Sequence, residues 1–229
     1  MAFLSRLKPA WTGELSPFPA QALLRLRAET EGAGIDLTRM GRGALAIEVR
    51  KGQQRIRLVT AHLKSKLVTY PGGRFAPVDE YERARGTALA LLRRGAESAA
   101  LRSRTVPMLE GNDRRLVLLG DLNDEPRAVT SEVVAGPSDR SISHPDRLDD
   151  VRLYNLAEEI PAGRRYSRIH ERRPELIDHI LVTKRMVFEL ERADADVSGI
   201  SPVGDDPRPR RAEVVPDHAP VFARFALSG

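Results

Sequence analysis

At 229 residues, with 37 basic against 32 acidic side chains for a formal charge of +5 and no cysteine, the chain has room for one substantial core and has neither a disulfide framework nor a thiolate metal site. No apolar run reaches signal-peptide or membrane-span length, so a soluble cytoplasmic protein is expected. The positive charge suits a phosphate-rich partner, but 32 of the basic residues are Arg, a bias that base composition produces as readily as binding does; charge alone does not choose among DNA, RNA, phospholipid head groups and small phosphoesters.

In chain order, Pro17 and Pro19 precede a helix expected over Ala20 to Glu31. The apolar runs Ala44 to Val49 and Ile56 to Thr60 are expected strands. After a charged loop from Lys64 to Val78 comes a helix from Asp79 to Leu101. In it Tyr81, Ala84, Ala88, Leu91, Leu92 and Ala99 recur at helical spacing, and Glu82, Arg83, Arg85, Arg93, Arg94 and Glu97 take the remaining positions. Leu116 to Leu119 is a further strand, Ala128 to Val134 and Tyr154 to Glu159 are short helices, and Ile177 to Val182 and Val221 to Phe225 are the last strands. The loops 136–150 and 201–216 are long and charged, as binding loops often are. No repeat and no Gly/Ser-rich linker divides the chain. One domain over residues 1–229 is expected, an α/β architecture with polar residues gathered just after the strands along one rim.

Four segments carry candidate chemistry. Leu116 to Gly120 makes a buried strand with room for a close backbone approach, and Asp121 and Asn123 follow at i and i+2, on one side of an extended chain. A carboxylate and a neutral oxygen there suit a hard cation such as Mg²⁺, which keeps waters for a phosphate to displace. An Asx turn leaving the strand is the equally weighted plain reading. The strand from Ile56 ends in His62 and Lys64, an imidazole and an ammonium able to hold phosphate oxygens, although a lone histidine after a strand is more often structural. Asp178 sits in an apolar strand, where a carboxylate needs a donor partner. Asp217 is a candidate metal ligand, and His218, held by Asp178, a candidate to support an attacking water or phosphoryl charge; the plain alternative is a His–Asp bond that staples two strands.

In this order the segments resemble the endonuclease/exonuclease/phosphatase superfamily of deoxyribonuclease-I-like enzymes. Arg42-Gly43 before a strand, His62-Leu-Lys-Ser, Gly-Asp121-Leu-Asn123, Leu-Ile-Asp178-His-Ile-Leu-Val and Asp217-His218-Ala-Pro220-Val look like its successive motifs, spread over residues 41–225. The resemblance implies a four-layer sandwich of two packed, mostly antiparallel sheets flanked by helices, with the site at the sandwich edge. It also implies a hydrolase of phosphoester bonds dependent on Mg²⁺ or Mn²⁺, a phosphodiesterase or nuclease whose substrate includes nucleic acid among the candidates. Asp121 would then orient or deprotonate the attacking water, Asn123 would position it, and His62 would bind the scissile phosphate, with Lys64 adding charge. Asp121, Asn123 and Asp217 would hold the metal, and His218 paired with Asp178 would stabilise the transition state. Tyr166 and Arg168 fall in a segment that resembles the lining of the substrate groove.

The resemblance stops short of the N-terminus. The family opens with a strand ending in Asn and a second ending in the Glu that is its principal metal ligand. No segment here matches either: Glu14, Glu29 and Glu31 fall in an expected loop and helix, and Ala2 to Arg6 reads as a later strand of the fold. Expected, therefore, are missing N-terminal strands, a metal site short of its strongest ligand, and weak or absent activity in this form. A non-catalytic module that binds nucleic acid or another phosphate-rich partner is the alternative.

Overall fold

The first strand, β1 (Pro9–Glu14), pairs antiparallel with β4 (Ala44–Lys51), and a small hairpin of β2 (Arg27–Thr30) and β3 (Ala33–Asp36) lies between them in sequence. This is a computed structural model, and it describes residues 1–19, 27–30, 33–109, 114–137, 150–204 and 215–227, with backbone alone for 27–30 and 33–36. A two-residue turn joins β4 to β5 (Gln54–His62); such turns need positive φ, which Gly52 supplies at 61°. From β5 the chain crosses through α1 (Glu80–Leu109) to β6 (Arg115–Asp121), which runs parallel to β5. After α2 (Val129–Ala135) come β7 (Tyr154–Asn155) and the hairpin β8 (Arg168–His170) and β9 (Arg173–Glu175), then β10 (Asp178–Val182), antiparallel to β6. The six-stranded mixed sheet has the order β1-β4-β5-β6-β10-β7. A short α3 (Lys184–Phe188) leads to a separate antiparallel pair, β11 (Leu190–Ala195) and β12 (Val221–Phe225).

The period-2 alternation of β6 explains the layering. Leu116 and Leu118 join a core with Val59, Ala61, Ala96, Leu101 and Leu109, between the sheet and α1. Val117 points the other way, into a second core with Val182, Met186, Ala193 and Ala195 under β11–β12. A strand buried on both faces reads as the unbroken apolar run seen in the sequence, and each such side chain contributes about 2 kcal/mol through burial. The architecture is thus α/β, with a large mixed sheet, a two-stranded second sheet packed on it, and few helices.

Several expectations need correction. The helix expected over 20–31 is instead a strand at Arg27–Thr30, its other residues lying outside those described. Ala2 to Arg6 forms no strand; the first begins at Pro9. Tyr154 to Glu159 splits into the short β7 and a 3-10 turn, Leu156–Glu159, because the Asn155 side chain accepts the Ala157 N–H at 3.0 Å and caps a new turn there. In α1 the buried stripe differs from the expected one. Tyr81 and Leu91 are 87% and 51% exposed, whereas Arg94 and Glu97 are 5% and 1% exposed and bond to loop groups, as described next.

Candidate active site

Sheet register assembles the centre. His62 at the end of β5 lies opposite Asp121 at the end of β6, and Asp121 lies opposite Asp178 at the start of β10, so three polar side chains form one lateral row. Gly120 makes the row possible: its φ is 139°, and a Cβ there would fall 2.0 Å from the Ala61 carbonyl oxygen, so only glycine lets β6 approach β5 this closely. The row is completed from the loop before β12, where His218 Nδ1 donates to Asp178 Oδ2 at 2.7 Å. The expected His–Asp pair therefore forms. Asp178 raises the His218 pKa through this hydrogen bond against the opposing effect of burial, and Asp121 and Asp217 add to the rise.

One donor atom each from Asp121, Asp178 and His218 lies within 4.8 Å of the others, close enough to share a cation. Asp217 Oδ2 is 4.0 Å from His218 Nε2 and is not one of the three; among acidic and histidine side chains the group joins Asp121 to Asp178 and His218 rather than to Asp217. Asn123 is not on an extended chain: its φ is 55°, and its N–H donates to Asp121 Oδ1 at 2.8 Å, the Asx turn considered above. It nevertheless lines the same groove, buried, with its amide donating to the Leu63 carbonyl at 3.0 Å so that its oxygen end stays available.

His62 Nε2 touches the Arg42 guanidinium and lies 3.1 Å from Asp121 Oδ2. This nitrogen thus faces a donor, the Arg42 guanidinium, and an acceptor, the Asp121 carboxylate, at once. Arg42 carried no assigned role in the sequence; the Arg-Gly pair before β4 was the available signal.

Two buried charges of α1 fix this corner. Glu97 accepts the N–H of Gly41 at 2.9 Å and of Lys64 at 2.6 Å, which holds the backbone on either side of Arg42 and His62. Arg94 donates to the Lys64 carbonyl at 3.3 Å and to Asp124 at 3.1 Å. Burial would raise the Asp124 carboxyl, but the Thr130 hydroxyl, Arg94 and Lys66 more than offset it, and its pKa is lowered. No periodicity marks such residues, since each is an ordinary polar position on a helix until its loop partners are known.

Lys64 is turned away from the groove. Its ammonium donates to the carbonyls of Ser65 at 2.9 Å and Leu67 at 2.6 Å, and burial, with Arg42, Arg93 and Arg94 nearby, lowers its pKa to about 8. Lys66 lines the groove instead, 3.4 Å from Asp124 and 3.7 Å from Glu175. Tyr166 does not line it, whereas Arg168 does. Between those two, the buried Ser167 accepts the N–H groups of Ile177 and Asp178 at 3.2 and 3.1 Å on its hydroxyl, and its carbonyl accepts the Ala219 N–H at 2.7 Å. Ser167 thereby ties Asp178 to the His218 loop, a role that no sequence signal marked. His179, 2% exposed, donates from Nε2 to the Asp124 carbonyl at 2.8 Å; burial lowers its pKa, and it serves as a neutral strut beneath the site.

These groups open onto a groove of about 820 Å³, lined also by the 65–77 segment, by Arg83 and Thr87 of α1, and by Arg168, His170 and Glu175 of β8 and β9. The mixed sheet, the packed β11–β12 pair and the rim of strand ends are the fold of endonuclease/exonuclease/phosphatase proteins. Among solved structures the chain is similar to the 3′-5′ exonuclease NExo from Neisseria meningitidis, with 19% identity and a TM-score of 0.53 over 97% of this chain and 73% of that one. A NExo structure from Neisseria described as a 3′ phosphatase bound to product DNA hairpin gives 18% and 0.52 over the same shares. A mannosyl-6-phosphatase from Bacteroides thetaiotaomicron gives 13% and 0.51 over 96% of this chain and 67% of that one. No family model matches the chain, and no curated protein matches it significantly in sequence.

Proposed function

We propose that this chain hydrolyses phosphoester bonds as a phosphodiesterase or nuclease that depends on Mg²⁺ or Mn²⁺. The observation that carries the proposal is the lateral row of His62, Asp121 and Asp178 on three adjacent strands, closed by His218. The converging carboxylates of Asp121 and Asp178 suit a hard cation, with the amide oxygen of Asn123 and the carboxylate of Asp217 on the same groove. When bound, the cation would supply charge neutralisation at the phosphate and a more acidic water. Arg42 and His62 would hold the phosphoryl oxygens, Arg42 leaving His62 Nε2 to do so. Asp121 would orient the attacking water. His218, its pKa raised by the hydrogen bond to Asp178, would donate from Nε2 to the charge that develops on the phosphoryl group.

The similar structures named above act on DNA and on a sugar phosphate, so support for phosphoester chemistry is general and the substrate is a separate question. One observation favours a second reading, a non-catalytic phosphate-binding module: among the described residues no glutamate joins the Asp121, Asp178 and His218 group.

The deciding experiment is hydrolysis of bis(p-nitrophenyl) phosphate and plasmid DNA by the purified chain with Mg²⁺ or Mn²⁺. The expected result is weak turnover, reduced by the missing glutamate, that both EDTA and Asp121→Ala abolish. Turnover that survives Asp121→Ala would sink the assignment, and a folded protein that binds phosphate without turnover would favour the module.

A further inference from the structure

The segment 65–77 forms a prebuilt wall beside the candidate site, and several polar groups in and around it, Lys66 apart, hold its shape. Arg74 donates to the Pro71 and Ala76 carbonyls at 3.1 and 2.8 Å and to Glu82 at 2.7 Å. Glu82 also accepts the Val78 N–H at 2.7 Å, and the Lys64 ammonium caps the carbonyls of Ser65 and Leu67. Gly86 of α1 lets the wall seat closely, since a Cβ there would fall 2.7 Å from Val68 Cγ1 and 3.0 Å from Tyr70 Cε1. With its polar groups so engaged, the segment presents Leu67, Val68, Phe75 and Pro77 to the groove, all half-buried. The same groove carries cations, Lys66 and Arg168 among them, and Arg168 Nε has no hydrogen-bond partner among the described residues.

We propose that this apolar shelf holds a nucleobase of a single-stranded nucleic acid whose neighbouring phosphate occupies the His62, Asp121 and His218 centre. The inference rests on the proposed phosphoester chemistry and adds its substrate class. A sugar or polyol head group needs a wall of amides and carboxylates to match its hydroxyls, and this wall offers carbon. An acyl chain fits the carbon but makes no use of the adjacent cations. A nucleotide strand uses both: its bases have apolar faces that pack on side chains without regard to sequence, and its phosphates take the cations. At about 820 Å³ the groove has room for a phosphate and the nucleoside beside it. The pinned loop loses little conformational freedom on binding, which favours a real subsite over incidental contact.

The test uses the full chain in EDTA, so that binding is read without turnover. Fluorescence anisotropy would compare a labelled thymidine hexanucleotide with the same backbone carrying abasic tetrahydrofuran at every position. Wild-type protein is expected to prefer the thymidine strand by roughly tenfold, and Phe75→Ala to remove most of that preference while leaving the abasic affinity unchanged. Equal affinity of the wild type for the two strands would overturn the proposal without any variant having to fold. Tighter binding to phosphatidylglycerol vesicles than to the thymidine strand would also overturn it, in favour of an acyl chain. Base-dependent binding by a protein without hydrolytic activity would sustain this inference while sinking the hydrolase assignment, and turnover with no base preference would do the reverse.

Discussion

At the scale of single residues, His218 bears two roles that exclude each other. Its Nδ1 is committed to Asp178, so only Nε2 is left, either to ligate a cation or, when protonated, to donate a hydrogen bond. The raised pKa favours donation. His218→Asn should therefore lower kcat about 100-fold or more while leaving Mn²⁺ affinity, read by calorimetry, within about threefold of wild type. A parallel loss of Mn²⁺ affinity would make His218 a ligand instead. Lys64 gives a second prediction at this scale. Its folded pKa, about 8, lies below the ordinary lysine value, so between those limits the unfolded chain binds the extra proton and stability rises with pH. Lys64→Met should flatten that rise between about pH 8 and 10.5 in denaturant titrations, and carbon NMR of the reductively methylated protein should show a lysine signal titrating at about 8 that Lys64→Met removes.

At the scale of elements, α1 is a retaining bracket as well as a sheet cover. Glu97 ties the loop before β4 to the end of β5, and its removal leaves two backbone N–H groups without their acceptor. Glu97→Ala should cost about 3 kcal/mol in urea unfolding. Glu97→Gln, which keeps one acceptor oxygen, should recover part of that and a larger share of kcat than of KM, because the bracket positions Arg42 and His62 without touching substrate. An effect on stability alone, with kcat intact, would make the bracket purely structural. The strands of this layer were legible in the sequence because β4, β5, β6 and β10 are short apolar runs ending in polar residues. The buried face of α1 was not. Its inward positions include Ala90, Arg94, Glu97 and Ser98, and a charge is recognised as an interior residue only when its partners arrive from elsewhere in the chain. Ser167 and Lys66 were missed for the same reason: the distinction between Lys64 and Lys66 depends on which side chain turns inward after β5.

For the whole molecule, what was legible was the row of His62, Asp121, Asp178 and His218, since each follows or opens an apolar run and residue type narrows the chemistry. Less legible was which acids converge. Asp217 and Asp178 are equivalent as residue types, and only the register of β10 on β6 brings Asp178 beside Asp121. The groove carries Arg42, Lys66, Arg83 and Arg168 at once, which bounds its phosphate contacts. If all four meet backbone phosphates of a single strand, log affinity should fall with log salt at a slope of about −3, whereas binding of a small phosphomonoester should change far less. A slope near zero for the oligonucleotide would mean that the strand does not run along the groove.

The row has a further consequence, for folding. His62 reaches Asp121 across a parallel pairing that requires the whole of α1 to have crossed the sheet, and His218 reaches Asp178 across 40 residues of chain. None of these contacts is local, so the loops between them must close before any contact is gained, and closures of this kind come late and slowly. Helical signal should accordingly recover early on dilution from denaturant, with α1, while competence at the site returns only with the last strand pairing. A partly folded chain would carry every one of these side chains and bring none of them together.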